Sequence, residues 1–325
     1  MRLELAPLDG ITKGVFRRVW RERFGGADRY FVPFISPTDQ HILTEKMRRE
    51  LRAAADELPA LVPQVMTRRG ADFLWAAEQL ADMGFREVNL NLGCPSGTVT
   101  AKGKGSGLLL HPDELARLLE EACGRSPLPV SVKTRLGYRD AEEFPALLAL
   151  FNRFPLAGLT VHPRTRPEKY RGPIHYDAFA LALEQSRNPV CYNGDVRTTA
   201  EMEALTARFP GLEAVMIGRG AVADPALFRK LRGGPAASRE ELRAFTAALY
   251  RAYQDFYGEV EPSSAREAAA QRMKEVWFYL IHLFDDHARL GSRLRRSRGS
   301  REYERLEAAI LQELPLREDS QGELI

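Results

Sequence analysis

Eight short apolar or β-branched runs, each bounded by turn-forming residues, recur along the chain: LELAPLDG, YFVPFIS, LVPQVMT, EVNLNLG, VSVKTRL, GLTVHP, PVCYNGD and AVMIGRG. Runs of this kind read as buried strands. Most are separated by segments of helical period, such as ADFLWAAEQLADMG, HPDELARLLEEACG and TTAEMEALTARF. Strands alternating with helices build a parallel sheet, because a parallel neighbour needs a long crossover. Eight units point to an α/β fold of the (β/α)8 TIM-barrel type rather than a doubly wound sheet. No Gly-x-Gly-x-x-Gly follows the first run, where a dinucleotide fold needs it. From about Ser238 onward the strand signals stop. ELRAFTAALYRAYQDFYG, REAAAQRMKEVWFYLIHLFDDHA and REYERLEAAILQEL carry apolar stripes at helical spacing and predict a small C-terminal α-helical bundle. The expected division is a barrel over 1–235, a helical domain over 236–316 and a frayed tail over 317–325.

Composition excludes several classes. A net charge of +3 is too small to argue nucleic-acid binding without local clusters. Cys94, Cys123 and Cys191 form no CxxC pair and have no zinc-type histidine spacing, so reduced thiols and no metal are expected. MRLELAPLDG lacks the apolar core of a leader, and no apolar run reaches membrane-spanning length. A cytoplasmic protein follows, with no membrane association.

A barrel of this kind gathers its chemistry at the C-terminal ends of the strands. Those ends carry Gln64, Asn89, Asn91, Cys94, Lys133, Arg135, His162, Asn193 and Asp195, with Gly218, Arg219 and Gly220 after the eighth run. Gln64 or Asn89 alone also reads as a partnered interior amide. An inward lysine at 133 needs an anionic or acceptor partner to offset its desolvation. NGD and GRG fall after strands seven and eight, the usual phosphate site of such barrels, although either alone fits an ordinary loop. A phosphate there, a cation from strand five and an amide from strand three describe a pocket for flavin mononucleotide (FMN). The lysine would face the flavin N1 and C2 carbonyl, where negative charge gathers on reduction. VNLNLGCPSGTV ends its strand on a cysteine. A lone cysteine commonly packs as a small hydrophobe, but Pro95 disfavours helix at Cys94 and holds a turn that lets the thiol face the pocket.

In LAPLDG, NLNLGCPS, GSGLLL, SVKTRLG, TVHPRT, NGD and AVMIGRGA, taken in this order, the chain resembles the tRNA-dihydrouridine synthases. The resemblance implies an FMN-containing barrel with a helical C-terminal domain that reduces the C5=C6 bond of a tRNA uridine to 5,6-dihydrouridine. NADPH, or NADH, would reduce the flavin. FMN would be held by Pro7, Leu8, Asp9, Gln64, Lys133, His162, Asn193, Gly194, Asp195, Gly218 and Arg219. Cys94 takes the proton donor's position, and Asn91 lies beside flavin and target base. The early LAPLDG and the compact tail look most like the bacterial C-type subgroup, which modifies uridine 16 in the D-loop. Two positions depart from the pattern: Val32-Pro33 replaces a Thr-Glu pair expected at the end of strand two. Gly97 replaces a lysine that Lys102 or Lys104 could supply.

Reducing the uracil double bond takes a hydride at C6 and a proton at C5. A thiol at its ordinary pKa still holds its proton at neutral pH, so Cys94 is expected without the depressed pKa of a nucleophile. The substrate's phosphates need cations. Seven arginines between Arg289 and Arg305, among them Arg293, Arg295, Arg296 and Arg298, face only Glu302 and Glu304 in sequence. Such a run is either a solvated helix face or a phosphate-binding surface. Lys102, Lys104, Arg135, Arg164, Arg166, Lys169, Tyr170 and Arg272 complete the candidate RNA contacts, with Tyr170 either stacking on a base or structural. A monomer docking on tRNA, with no protein partner, is the simplest case. The competing readings are an FMN barrel acting on a free small molecule, of dihydroorotate dehydrogenase or ene-reductase type, and a non-catalytic RNA-binding protein.

Overall fold

The computed structural model describes residues 1–54 and 56–320. Eight parallel strands close into a barrel in sequence order: β1 (Arg2–Leu5), β2 (Arg29–Ile35), β3 (Leu61–Val65), β4 (Val88–Leu92), β5 (Val130–Arg135), β6 (Gly158–His162), β7 (Val190–Asn193) and β8 (Ala214–Ile217), with β8 pairing to β1. Each falls on one of the eight runs. The helices Gly70–Asp82, Pro112–Arg125 and Thr199–Arg208 occupy the expected intervening segments.

The strands are covered on both faces and so lack a solvated side. Val88, Leu90 and Leu92 of β4 join the main apolar core, while the alternating Asn89 and Asn91 point into the barrel. On other strands the same alternation sends Phe31, Val62, Cys191, Ala214 and Met216, with Ala6 just after β1, into a small apolar cluster of their own.

Four longer helices follow the barrel: Arg239–Gly258, Ala265–Leu280, Ala288–Arg296 and Ser300–Glu313. The first opens on a capping box between Ser238 and Glu241, which satisfies N–H groups that a helix start leaves free. It packs on the barrel: Phe245 meets Phe16 at 6.1 Å and Phe24 at 5.4 Å, both edge on. The run REAAAQRMKEVWFYLIHLFDDHA is not one helix. It stops at Leu280, turns through Ile281–Leu283, and leaves Phe284 extended in an antiparallel bridge to Leu316.

That bridge corrects the expectation of a tail frayed from residue 317. The Arg317 amide donates to the Leu283 carbonyl at 2.9 Å, and its guanidinium pairs with Asp285. Lys230, held by buried Asp224 at 2.8 Å, also pairs with Asp319, and Ser320 is buried. The remainder of the tail, 321–325, lies outside the described residues. No helix among the described residues is long and apolar enough to cross a membrane.

Candidate active site

The end of β4 shows why a strand stops on a cysteine. The Asn91 side-chain oxygen accepts from the amides of Gly93 at 3.1 Å and Cys94 at 2.9 Å, replacing ladder partners with a side-chain turn. Its amide nitrogen donates to Gln64 at 2.6 Å, Gln64 donates to Asn89 at 2.8 Å, and Asn89 donates to Ser131 at 2.8 Å. This buried chain spans β3, β4 and β5 and fixes Asn91 from below. From the other side, the Ser106 amide and hydroxyl both donate to the Cys94 carbonyl, at 3.1 and 2.8 Å. Gly105 brings that segment close. A Cβ there would lie 2.9 Å from Cys94 Cβ, and its φ of +57° suits glycine. Burial raises the Cys94 thiol pKa above its ordinary value. Nearby Asp9 adds to this, while the Ser96 amide and the cations Arg135 and Lys133 oppose it. Cys94 is therefore a protonated thiol at neutral pH.

The thiol faces a cavity of about 260 Å³ at the C-terminal mouth of the barrel. Beside it lies a cluster of cations. Lys133, within β5, makes no ion pair with a carboxylate among the described residues, and burial followed by the nearby Arg135 lowers its pKa to about 7. Arg135 donates to the carbonyls of Gly93, Thr165 and Lys169 at 2.9, 3.0 and 2.7 Å, tying β5 to the turn before Cys94 and to the loop after β6. Arg164 and Arg219 grip Asp195 at 2.6 and 2.5 Å. Burial opposes ionisation of Asp195, but the two guanidiniums outweigh it and hold its pKa below the usual value. Burial and the surrounding cations hold His162 well below its ordinary pKa, so the ring is neutral. Tyr170 closes this side: Arg135 and Arg219 lie 5.3 and 4.8 Å from its ring centre, and His162 stacks on it at 6.0 Å. Lys133, Arg135, Arg164 and Arg219 outnumber the carboxylates of Asp195 and Asp9 here and leave a net positive surface suited to a polyanionic ligand.

The chain from residue 4 to residue 310 matches the model of the dihydrouridine synthase (Dus) family. The protein belongs to that family. It is 35% identical over 235 residues to a probable tRNA-dihydrouridine synthase of Staphylococcus aureus, covering 70% of both chains. It is 28% identical over 292 residues to tRNA-dihydrouridine synthase B of Proteus vulgaris, covering 87% of this chain and 88% of that one. These matches do not single out the C-type subgroup expected from the chain's two ends. Among solved structures, a morphinone reductase variant in complex with tetrahydroNAD superposes with a TM-score of 0.52 at 13% identity, over 75% of this chain and 90% of that one; this likeness shows the barrel fold.

Most of the expected Dus site residues converge. Pro7, Leu8, Asp9, Asn91, Cys94, Lys133, His162, Asn193, Gly194, Asp195, Gly218 and Arg219 all line the cavity. Gln64 does not; it lies one layer below and orients Asn91. Arg164 is 4% exposed and spent on Asp195 and the Gly172 carbonyl, so it braces the lining residue Asp195 and does not face solvent as an RNA contact would. Arg135, 1% exposed, belongs to the pocket. Arg272 is turned inward as well, donating to the Gly10 carbonyl at 2.5 Å and pairing with Glu275 at 2.6 Å. Arg166 is half-buried, 4.9 Å from the Tyr138 ring centre, and Lys104 donates to Ser36 at 3.3 Å. Lys102, Lys169, Tyr170, Arg293, Arg295, Arg296 and Arg298 are exposed. Gly97 is exposed too, with nothing near its Cα to exclude a side chain. Val32-Pro33 lies inside β2, not at its end. The β2–β3 register shifts between Val32 and Ile35, where a proline without an N–H is tolerated, and the irregularity presents Phe34 to the cavity. Phe34, Ile11 and Tyr279 are lining residues that sequence reasoning missed. Tyr279 comes from helix Ala265–Leu280, some sixty residues beyond β8.

Proposed function

We propose that the protein reduces the C5=C6 bond of a uridine in tRNA, using FMN and a nicotinamide reductant, NADPH by preference. One observation carries the reading: a protonated, pocket-facing cysteine shares a single cavity with a lysine that pairs with no carboxylate among the described residues. FMN fits this donor set. Lys133 offers an ammonium to the reduced ring, Arg219 and the glycines of NGD and GRG suit its phosphate, and Pro7, Leu8 and Asn193 line the same space. A Cβ on Gly220 would fall 2.2 Å from the Val196 carbonyl, so the loops after β7 and β8 can approach this closely only with glycine. The bound flavin supplies the hydride for C6.

The chain's own groups do the rest. Cys94 Sγ carries the proton for C5, and Asn91, locked by Gln64, holds the turn that aims it. Neutral His162 is a hydrogen-bonding wall rather than a competing acid. Tyr170, 42% exposed at the rim, offers a face to the incoming base. A uridine in folded tRNA must be extruded at a cost of a few kcal/mol, which phosphate contacts offset. Exposed Arg293, Arg295, Arg296 and Arg298 supply such contacts, and a free small-molecule substrate would give them no role. We assign 1–235 to flavin binding and catalysis and 236–316 to RNA docking, in a cytoplasmic enzyme working as a monomer.

The test is site-resolved dihydrouridine mapping of tRNA and rRNA from a strain lacking the gene, its parent and a complemented strain. Loss at a tRNA position, restored on complementation, is expected and identifies the uridine, position 16 being the one the C-type resemblance names. Unchanged dihydrouridine in tRNA refutes the reading.

A further inference from the structure

The catalytic cavity has a neighbour. Asp9, Ile11 and Tyr279 line both it and a second cavity of about 340 Å³, set between the loop after β1 and the helices Ala265–Leu280 and Ala288–Arg296. The second cavity has the chemistry of a nucleotide site. Phe278 presents an aromatic wall whose only ring neighbour among the described residues is Tyr279, edge on at 5.1 Å. Exposed Arg295 and partly buried Lys274 add cations, and Gln271 adds an exposed amide that can both donate and accept. The Glu275 carboxylate also faces this space, but Arg272 binds it at 2.6 Å and offsets its charge.

Building on the tRNA reading above, we propose that this cavity receives the nucleotide next to the target uridine. Its base stacks on Phe278, and its phosphate meets Lys274 and Arg295. Asp9, Ile11 and Tyr279 bound both cavities, and adjacent nucleotides are joined by one phosphodiester, so a uridine in the first cavity delivers its neighbour to the second. The competing occupant is the nicotinamide reductant. RNA is favoured because the helix that brings Arg295 to the cavity, and the turn after it, also carry exposed Arg293, Arg296 and Arg298, a concentration of cations that suits a polynucleotide backbone.

The test compares wild-type and Phe278→Ala holoenzymes for tRNA affinity, tRNA-dependent turnover, and NADPH oxidation without tRNA. Phe278→Ala weakens tRNA binding about tenfold, while flavin content and NADPH oxidation keep their wild-type values. A tRNA abasic at the nucleotide 5′ or 3′ of the target loses a similar factor with the wild type and nothing further with the variant. Gln271→Ala, a change at an exposed position, reports on the same cavity if Phe278→Ala fails to fold; it alters the preference for the base at that neighbouring position. Wild-type tRNA affinity in both variants overturns the proposal. So does slowed NADPH oxidation with intact tRNA binding, which would assign the cavity to the reductant. A wild-type holoenzyme that forms no dihydrouridine in tRNA refutes the functional reading instead.

Discussion

Lys133→Met removes the charge while keeping most of the side chain's length, and its effects on the apoprotein and on flavin binding have opposite signs. The ammonium's pKa falls from 10.5 to about 7 through burial and the nearby Arg135. At about 1.36 kcal/mol per tenfold change in proton affinity, that difference sets an upper limit of about 5 kcal/mol on the cost of carrying the charge in the apoprotein. Water at the open mouth of the cavity hydrates part of the group, so about 2 kcal/mol is expected. The folded-state pKa lies below the unfolded one, so the cost is fully present below about pH 7 and vanishes as pH rises toward the unfolded value. Lys133→Met apoprotein is therefore more stable than wild type to urea at pH 6, with the gap narrowing toward pH 10. Flavin binding moves the other way: the variant binds FMN at least tenfold more weakly at pH 6. Wild-type affinity declines above about pH 7 by up to tenfold per pH unit, a dependence that the variant lacks. Urea titrations at the two pH values and fluorescence titration with FMN check both arms. A variant less stable than wild type at pH 6, or a stability gap independent of pH, would show that the ammonium is not desolvated and refute the reasoning.

Three further outcomes follow from particular contacts. Cys94→Ala retains FMN and oxidises NADPH but forms dihydrouridine about 10²- to 10⁴-fold more slowly, measured by mass spectrometry of reacted tRNA; normal turnover removes the thiol from the reaction. Gly105→Ala forces a Cβ to within 2.9 Å of Cys94 Cβ at a φ of +57°, so it lowers turnover and changes the rate of thiol alkylation with flavin content unchanged. Truncation after Leu316 removes the Arg317 and Asp319 ion pairs and costs about 1 kcal/mol, seen as a melting temperature lower by about 2 °C; an unchanged melting temperature would show that this docking adds nothing.

The barrel was legible because each strand is a short apolar run closed by turn residues, and because its strand ends concentrate polar side chains that a plain core would not hold. The cavity-lining residues on the strand ends were legible for the same reason. What escaped depends on pairs distant in sequence. Arg164 looks like a surface cation until Asp195, 31 positions later, draws it inward. Gln64 reads as a lining residue until its hydrogen bond to Asn91 places it one layer down. The tail appears loose because Leu283 and Lys230, which hold it, belong to other elements. Phe34 reaches the cavity only through an irregularity in β2 that no hydrophobic period encodes.

The helical segment does more than append a charged surface to a finished barrel. Phe245 shares the apolar core with Phe16 and Phe24, so the helix Arg239–Gly258 and the helix after β1 pack as one body. Arg272 then reaches across to the Gly10 carbonyl, fixing the loop that carries Pro7, Leu8 and Asp9 into the cavity. Tyr279, about two helical turns beyond Arg272, lines the same cavity. The loop after β1 is thus shaped by both parts of the chain. A barrel cut at residue 235 would lose Tyr279, a wall of its cavity, together with the arginines of the helical segment, so under the proposed function substrate docking and completion of the site are tied to one segment.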